Sequence, residues 1–505
     1  MNRLYQWKWE VVAPISGILL TLAFAPFDFA YLALAALMIF YVFSTQTSLK
    51  RVALDGYLFG LGLFGSGIWW VYISIHDFGG ADAVSACLLT ASLIAVWSLL
   101  PVLTALALFK LSKMTAIWSR VTCSALAWVT VEYFRGSWLF NGFPWLQIAY
   151  SQLDTPLAGF APVIGVYGMG FLLALSAFTV VETLLRRIVW WHGLIVCSVI
   201  WGGGWALHTI HWTDVAGEAF KITLIQGNID QDQKWLPSQK PNTLKLYRQL
   251  TEQHWDSSVV VWPETAIPAF LSEVRDSYLN PLAIAAREHG TDLIVSLPTG
   301  GNKTYYNSVM TLGHDEAFYH KSHLLPFGEY LPLQPFSGWI LDQLSIPLGS
   351  FTAGSQSQPL LKAGGYPFVA TICYEDAFGQ LVINRVADAA YLVNVTNDAW
   401  FGDSSEPYQH MQMAQFRALE AGRYLVRATN TGVSGIIGPD GKPRQQSKLF
   451  ATTTLTDDII PMSGLTPYAR IGDIGVFSSM FAFVAALFGW KALFTDTRYK
   501  RPIRA

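Results

Sequence analysis

The stretch Phe368-Val-Ala-Thr-Ile-Cys-Tyr-Glu-Asp-Ala-Phe-Gly379 runs from an apolar segment into a cysteine that is followed by two acids. Residues 368–372 predict a strand with both faces covered, because apolar and β-branched side chains follow one another without polar alternation. Cys373 then stands at the end of that strand. Since functional side chains of α/β domains gather at the carboxyl ends of strands, Cys373 is either a buried core cysteine or a nucleophile.

The composition of the chain indicates a membrane protein. The chain has 505 residues, of which 52% are hydrophobic and only 13% are charged, against about 25% charged residues in an ordinary soluble protein. The formal net charge of −2 gives no reason to expect a nucleic-acid partner.

Apolar segments of spanning length lie on both sides of a more polar middle part. A spanning helix needs about 20 apolar residues, and we count candidates at roughly residues 11–26, 28–44, 53–75, 83–109, 117–134, 158–183, 188–208 and 474–493. We therefore predict an α-helical transmembrane bundle of about eight spans. Spans 1–7 occupy residues 1–210, a separate domain occupies 219–467, span 8 occupies 472–494, and a basic tail occupies 495–505.

The charges of the loops predict the orientation of the spans, because cytoplasmic loops are rich in Lys and Arg. With a cytoplasmic N-terminus, only Arg135 falls in the short outer loops, and fourteen cations fall on the cytoplasmic side. These are Arg3, Lys8, Lys50, Arg51, Lys110, Lys113, Arg120, Arg186, Arg187, Lys491, Arg498, Lys500, Arg501 and Arg504. We expect both termini in the cytoplasm of a bacterial cell and residues 219–467 outside the inner membrane, in the periplasm.

The distribution of the four cysteines favours a working thiol. Cys87, Cys123 and Cys197 lie in predicted spans, which leaves Cys373 alone in the outer domain. Oxidising compartments favour paired cysteines, and an unpaired thiol there is a liability unless it is buried or used.

The outer domain alternates predicted strands and helices. We predict strands at 221–225, 258–262, 292–296, 305–312, 317–321, 368–372, 390–395 and 433–437, and helices at 243–254, 273–289 and 407–424. Residues 439–442, Pro-Asp-Gly-Lys, predict a hairpin turn. This pattern indicates an α/β domain of stacked layers.

Three reactive side chains follow predicted strands: Glu264, Lys321 and Cys373. A free thiol titrates near pH 8.5, so a carboxylate within reach must take its proton as it attacks. A lysine ammonium and backbone N–H groups can hold the oxyanion that then forms, and one such donor contributes about 3 kcal/mol. The three residues suffice for acyl transfer through a thioester, with no metal and no organic cofactor.

Several sequence blocks resemble known families. "WPETAIP", "HKSHLLPFGEYLP", "ICYED" and "NDAWFG" resemble the signature blocks of the nitrilase, or carbon–nitrogen hydrolase, superfamily. "LAFAPFDFAYLAL", "GLFGSGIWWVYISIHDFGG" and "NGFPWLQIAYSQ" narrow the resemblance to the bacterial apolipoprotein N-acyltransferase family, and it extends over nearly the whole chain.

The resemblance implies a nitrilase-like αββα sandwich with a Glu-Lys-Cys triad. By position, Glu264 is the general base, Lys321 stabilises the oxyanion and Cys373 is the nucleophile. The resemblance also implies supporting or substrate-binding roles for Glu329, Tyr374, Glu375, Trp235 and Trp145. It gives no role to Asp376.

The resemblance further implies a two-step reaction in which Cys373 takes an acyl chain from a phospholipid, with phosphatidylethanolamine as the expected donor. The acyl group then passes to the α-amino group of the diacylglyceryl-cysteine at the N-terminus of an apolipoprotein. Membrane lipids and the apolipoprotein are the expected partners, and we expect a monomer.

Other interpretations compete with this one. A membrane-anchored nitrilase-type amidase would use the same triad on a small amide. A transporter or receptor would place paired ionisable residues inside the spans. Individually, Lys321 and Glu329 fit solvated or turn residues, and Trp145 and Trp235 fit an interfacial aromatic belt.

Three further features are assigned from the sequence. His320 and His323 lack a third ligand nearby, so we predict no metal site there. The glycines of Gly60-Leu-Gly-Leu-Phe-Gly65 lie inside an apolar span and predict close helix packing rather than dinucleotide binding. Residues 332–363, rich in Pro, Gly and Ser, are a candidate lid.

Overall fold

The computed structural model describes residues 3–45, 48–301, 304–331 and 351–496. The apolar part is helical. Its helices are α1 Arg3–Thr21, α2 Tyr31–Ser44, α3 Leu49–Gly67, α4 Val71–Ile73 (continued by a π-helical turn, Ser74–Phe78), α5 Ala83–Trp97, α6 Leu99–Leu111, α7 Ile117–Tyr133, α8 Ala161–Leu184, α9 Trp190–Leu207 and, after the outer domain, α16 Pro467–Asp496.

Each of the predicted spans contains a helix, but the helices differ in length. Within the described residues, three are long and apolar enough to cross a membrane: Ala83–Leu111, Pro156–Leu184 and Pro467–Phe488. A fourth span results if α3 and Val71–Phe78, which meet at 61°, are counted together. Helix α2 has 14 residues and rises only about 21 Å, short of a hydrocarbon core of about 30 Å. The count of about eight spans is therefore not confirmed by helix length and composition.

The outer domain contains two six-stranded sheets. The strands are β1 Asp214–Val215, β2 Phe220–Gln226, β3 Val259–Val261, β4 Asp292–Gly301, β5 Thr304–Leu312, β6 Phe318–His320, β7 Leu361–Ala363, β8 Tyr366–Ile372, β9 Tyr391–Thr396, β10 Leu425–Thr429, β11 Gly435–Ile437, β12 Pro443–Gln446, β13 Thr453–Ile459 and β14 Met462–Ser463. One sheet has the order β13-β2-β3-β4-β5-β6 and the other β12-β11-β10-β9-β8-β7. Strands β1 and β14 pair where the domain begins and ends.

The helices of this domain lie outside the two sheets. They are α10 Gln231–Lys234, α11 Lys240–Glu252, α12 Leu271–Val274, α13 Asn280–His289, α14 Gly379–Ile383 and α15 Glu406–Ala421. Ile222 and Val261 of one sheet share a core with Ile372 of the other. On the opposite face of the first sheet, Val260 packs with the helical residue Leu282. The layers therefore follow the predicted αββα order.

Helix α15 joins the outer domain to the membrane helices. Nε2 of Gln409 donates to the carbonyl of Gly67 at 3.3 Å, and Nε2 of Gln412 donates to Asp28 at 3.1 Å. A carboxylate oxygen of Glu420 accepts from the backbone N–H of Val166 at 2.9 Å. Apolar residues of α15 belong to the same core cluster as the membrane helices. One outer helical layer of the sandwich therefore packs directly against the membrane part.

Two of the predicted helices differ from the observed ones. The helix predicted at 407–424 ends at Ala421, because Gly422 adopts a left-handed φ of 61°. Strand β10 follows soon after, although no strand was predicted there. The helix predicted at 273–289 is divided by a π-helical turn before Asn280, where Pro281 cannot donate a backbone hydrogen bond. The predicted hairpin turn does join β11 and β12.

Close helix packing explains two of the three glycines at positions 60, 62 and 65. A Cβ on Gly62 would lie 2.0 Å from the carbonyl oxygen of Pro14 in α1, and one on Gly60 would lie 2.7 Å from Cα of Ser98. Nothing lies within 4 Å of the corresponding position on Gly65.

This difference predicts opposite outcomes for matched substitutions in one helix. Gly62→Ala should force α1 and α3 apart at a cost of about 1–3 kcal/mol and lower the apparent melting temperature of the detergent-solubilised protein by a few degrees. Gly65→Ala should leave it unchanged or slightly higher, since Ala favours the helix. Equal melting temperatures for the two variants would contradict this packing.

Candidate active site

Each of the three predicted catalytic residues follows a strand, and the two strands in the first sheet run in the same direction. Glu264 follows β3, Lys321 follows β6 and Cys373 follows β8. Strands β3 and β4 are parallel, and two antiparallel pairings then connect β4 to β5 and β5 to β6. The ends of β3 and β6 therefore point to the same edge of the first sheet. Cys373 has a left-handed φ of 52°, so the chain turns sharply at the thiol-bearing residue.

A hydrogen-bonded cluster surrounds Glu264. Nδ2 of Asn307, from β5, donates to Oε1 of Glu264 at 2.6 Å. Nζ of Lys321 donates to Oε1 of Glu329 at 2.9 Å, and the second oxygen of Glu329 accepts from the backbone N–H of Leu325 at 2.8 Å. Glu264 and Lys321 are buried. Glu329 is thus the ion-pair partner of Lys321, so Lys321 is not the solvated surface lysine considered above.

The environment of Cys373 keeps its thiol protonated at rest. Burial raises the pKa of the Cys373 thiol to about 12, and the nearby charge of Glu264 acts in the same direction against the opposing charge of Lys321. Thiolate is therefore scarce at neutral pH. Attack by this thiol needs a base that removes the proton as the new bond forms, and Glu264 is the nearby carboxylate suited to that role.

The two charged residues beside the thiol have displaced pKa values. Burial, reinforced by the charge of Glu329, raises the pKa of Glu264 above its ordinary value of 4.5, although Lys321, Asn307 and Lys234 oppose the shift. Burial lowers the pKa of Lys321, but the neighbouring acidic groups, first of all Glu329, outweigh it and raise that pKa overall. Lys321 therefore remains a cation, as an oxyanion-stabilising group must.

Glu375 joins the turn that carries Cys373 to the segment after Lys321. We call this turn, Cys373–Ala377, the nucleophile turn. One oxygen of its fully buried carboxylate accepts from the backbone N–H groups of Ser322 at 2.7 Å and His323 at 3.0 Å, and from the hydroxyl of Tyr319 at 2.8 Å. The other oxygen accepts from the N–H of Ile372 at 2.8 Å. One side chain therefore fixes the spacing between the residues that flank Cys373 and Lys321.

Tyr374 and Trp145 connect the nucleophile turn to the membrane part. The hydroxyl of Tyr374 donates to the carbonyl of Gly142 at 2.5 Å. The rings of Tyr374 and Trp145 are stacked, with centroids 5.8 Å apart. Trp145 is 4% exposed, so it belongs to neither an interfacial belt nor an open lipid surface. Its ring packs against Tyr374 of the turn from the side of the membrane part.

Trp235 lies in a different setting from Trp145. It follows the short helix α10 and is 51% exposed. Its neighbour Lys234 is buried, and Nζ of Lys234 donates to the carbonyl oxygen of Glu264 at 3.1 Å. The sequence analysis did not single out Lys234, because it stands in the polar stretch Gln231-Asp-Gln-Lys234.

Five buried ionisable residues next to the turn form what we call the buried charge network. They are Asp376, Asp398, Glu406, His410 and Arg427. Arg427 donates to Asp376 and to Asp398, each at 3.0 Å. The two ring nitrogens of His410 face Asp376 at 2.7 Å and Asp398 at 3.1 Å. Although burial and Arg427 oppose protonation, these carboxylates raise the pKa of His410 well above its ordinary value. Asp376, for which no role was predicted, thus holds the turn in place through His410 and Arg427.

Within the described residues, Asp398, Glu406 and His410 also form a group with metal-ligand spacing. Arg427 already supplies a positive charge to both oxygens of Asp398, and a cation there would face its repulsion. His320 and His323, where no metal site was predicted, contact the hydroxyl of Ser308 and the carbonyl of Asn141 respectively.

Part of the candidate lid belongs to the site wall. Of residues 332–363, those at 332–350 lie outside the described residues. Residues 361–363 form strand β7, which contradicts a lid that extends so far. The N–H of Gly354 donates to the carbonyl of Lys321 at 2.8 Å, so the segment before β7 covers the strand end that bears Lys321.

The two sheets and the site at their edge define a carbon–nitrogen hydrolase domain attached to apolar helices. Residues 221–468 match the family model for carbon–nitrogen hydrolase, and residues 16–179 match that for the apolipoprotein N-acyltransferase N-terminal domain. The chain belongs to the apolipoprotein N-acyltransferase family.

Two relatives of known family support this assignment. The apolipoprotein N-acyltransferase of Methylococcus capsulatus is 48% identical over 470 residues, which cover 92% of this chain and 93% of the relative. That of Nitrosomonas europaea is 41% identical over 479 residues, covering 92% and 93%. Among solved structures, a CN-hydrolase superfamily protein of Xanthomonas campestris is 18% identical, with a TM-score of 0.36, and covers 48% of this chain and 91% of its own.

Replacing Glu375 should separate the two halves of the site. Glu375→Gln puts an amide donor where the carboxylate now accepts from several donors, so the segment bearing Lys321 should shift relative to Cys373. A shift of about 1 Å can cost about 100-fold in rate. We expect at least a tenfold loss of Cys373 acylation at a near-normal melting temperature. The control, Glu316→Gln, removes a surface partner of Arg275 and should retain full activity; equal effects would contradict the role of Glu375.

The raised pKa of Glu264 predicts that activity falls on the acid side of the pH profile. We call this fall the acid limb. As the predicted base, Glu264 must be ionised, so activity should be present above its raised pKa and should be lost as pH falls through it. Asn307→Leu removes a hydrogen bond that lowers this pKa, and the limb should move upward by about half to one pH unit. Asn242→Leu, at an exposed site, should not move it. An unchanged or lowered limb in Asn307→Leu would contradict this assignment, with Cys373 acylation against pH as the measurement.

Proposed function

We propose that this chain transfers an acyl chain from a membrane phospholipid to the N-terminal diacylglyceryl-cysteine of apolipoproteins, through a thioester on Cys373. This is the last step of lipoprotein maturation. The observation that carries the proposal is the direct packing of the nucleophile turn on the segment that joins the apolar helices α7 and α8, through the contacts of Tyr374 with Gly142 and Trp145. A thiol held there can meet a lipid ester that remains in the bilayer.

In the first step, Glu264 takes the thiol proton while the sulfur of Cys373 attacks the carbonyl carbon of the phospholipid ester. Lys321 and backbone N–H groups after Cys373 stabilise the tetrahedral oxyanion. The C–O bond then breaks, and the protonated Glu264 returns its proton to the leaving lysophospholipid alkoxide. The products of this step are an acyl thioester and a lysophospholipid.

In the second step, the α-amino group of the acceptor attacks the thioester carbon. Glu264 takes a proton from the nitrogen, the C–S bond breaks, and the proton returns to the sulfur of Cys373. The apolipoprotein leaves with an amide-linked third acyl chain. Because the lysophospholipid leaves before the acceptor reacts, the reaction is ping-pong, and we expect phosphatidylethanolamine as the donor and a monomeric enzyme.

The proposed topology has eight spans, cytoplasmic termini and a periplasmic outer domain. Charged residues assigned to the cytoplasmic side do meet: Glu182 lies 2.8 Å from Arg120 and 3.3 Å from Arg187. Gly67 and Val166, at the opposite ends of α3 and α8, contact the outer domain instead. Arg135, the one cation assigned to the outer loops, is buried and bonded to backbone carbonyls. These contacts support spans that alternate in direction.

The amidase alternative uses the same side chains but explains less of the chain. A small soluble amide would need no membrane part, whereas α15 and the nucleophile turn are built against one. The relatives that match along the whole chain are apolipoprotein N-acyltransferases. The same relatives also speak against the transporter or receptor interpretation.

The decisive measurement is the intact mass of the purified protein after incubation with phosphatidylethanolamine and no acceptor. We expect a gain of one acyl chain that neutral hydroxylamine removes, because a thioester is labile to it. Cys373→Ser should show no hydroxylamine-labile gain, whereas Cys87→Ser, which alters an exposed free cysteine, should acylate normally. No adduct in a preparation that hydrolyses a small amide would favour the amidase.

A further inference from the structure

Lys234 is a second buried lysine beside the candidate base. Its side chain lies on α10, outside the sequence blocks that define the triad, and the residue is 3% exposed. Among the described residues, its Nζ donates to the backbone carbonyl of Glu264, at 3.1 Å. Lysine is rarely buried without a partner of opposite charge, so the position of this ammonium needs an explanation.

The loop that carries Lys234 is fixed by paired amide contacts. Asn430, after β10, accepts from the N–H of Ile229 at 2.9 Å and donates to its carbonyl at 2.7 Å. Asn397, after β9, donates to the side chain of Gln231 at 2.8 Å. The loop is thereby attached to the second sheet while Lys234 reaches the residue that ends β3 in the first sheet. A lysine that served only to fill space would not need its loop to be held by these contacts.

The formal charges of the site explain what Lys234 supplies. The ionised Glu264 and Glu329 carry two negative charges, and Lys321 carries one positive charge, which it shares directly with Glu329. Without Lys234 these three groups would carry a net charge of −1, and the buried Glu375, on which Lys321 also acts, adds a further acid nearby. Lys234 therefore adds a positive charge where negative charge is in excess, and buried charges are costly unless they are balanced.

We propose that Lys234 is a positioning residue that holds the backbone of Glu264 in place and keeps its carboxylate ionised, ready to accept the thiol proton. This proposal deepens, and rests on, the function proposed above, in which Glu264 is the base. The groups that act on Glu264 are Lys321 and Glu329 beside β6, Asn307 from β5 and Lys234 from α10. Of these, only the two lysines oppose the burial of its negative charge with a positive one.

The electrostatic environment of Lys234 agrees with this geometry. Burial lowers the pKa of Lys234 to about 8, and the charge of Glu264 limits the decrease. Lys234 is therefore still mostly protonated at neutral pH. The reciprocal effect is that Lys234 lowers the pKa of Glu264, so that loss of its charge should make the base harder to ionise.

Two substitutions separate the charge of Lys234 from its hydrogen bond. Lys234→Gln removes the charge but keeps an amide donor for the carbonyl of Glu264, whereas Lys234→Met removes both. Lys234→Arg keeps both. The surface control is Lys240→Met, which breaks an exposed pair with Glu273. Melting temperatures establish that each variant is folded.

The readout is the rate at which iodoacetamide alkylates Cys373, measured by peptide mass spectrometry as a function of pH on the full-length protein. This reaction needs the base but no lipid. In Lys234→Gln and Lys234→Met we expect the acid limb to move upward by about one pH unit, which slows alkylation about tenfold below the limb. Lys234→Arg and Lys240→Met should keep the limb of the unmodified protein.

The outcomes distinguish this proposal from the proposed function. An unchanged acid limb in Lys234→Gln would overturn the role of the charge, whatever the overall rate. A limb moved equally by Lys240→Met would show a general effect of surface charge and would also overturn it. If the unmodified protein forms no thioester with phosphatidylethanolamine, the lipid donor is wrong, but a shifted limb in Lys234→Gln still establishes the link between Lys234 and the base.

Discussion

The burial of helix α15 on two sides at once is the constraint on which the rest of the structure depends. One side of the helix packs on the second sheet of the sandwich, and the other packs on the membrane helices. Of its 16 residues, 14 are buried, so it lacks the solvated face of an ordinary surface helix. Its glutamines and Glu420 satisfy backbone groups of the membrane part, which fixes the sandwich at one height and one orientation above the spans.

That position explains the unusual density of buried charge around Cys373. An enzyme whose site faces water can leave its acids and bases partly solvated. Here the nucleophile turn lies against apolar helices, and each buried charge must be balanced by another within the protein. The buried charge network does this for Asp376 and Asp398, and Lys321 and Lys234 do it for Glu329 and Glu264. The fold therefore contains more internal ion pairing than the three predicted catalytic residues alone would need.

The sequence predicted the parts of the structure that depend on local pattern. The apolar strands and the reactive residues that follow them were recognisable because strand ends collect functional groups. Strand β10 was missed because its central residue, Arg427, has the charge of an exposed position. Only its distant partners Asp376 and Asp398 make its burial possible. Lys234 was missed for the same reason, since its polar neighbours resemble a solvated loop.

The setting of Trp145 and the number of spans could not be predicted from the sequence. Its aromatic side chain next to a span fits a membrane interface equally well, and only the assembled fold shows that its ring lies under Tyr374. The number of spans is similarly ambiguous, because α2 and the apolar part of α1 are short for the thickness of a bilayer. In both cases the deciding contacts join residues far apart in the chain.

The protonated resting state of Cys373 has a consequence for the lifetime of the enzyme. Peroxide and disulfides react with thiolates, and their attack slows as the thiolate fraction falls. A thiol whose pKa is raised to about 12 is therefore protected from conversion to sulfenic acid and from disulfide exchange. In the proposed mechanism, the thiolate character that oxidants require arises only as Glu264 removes the proton. The electrostatics that make the residue depend on a base would also let an unpaired cysteine persist in the periplasm, where the proposed topology places it.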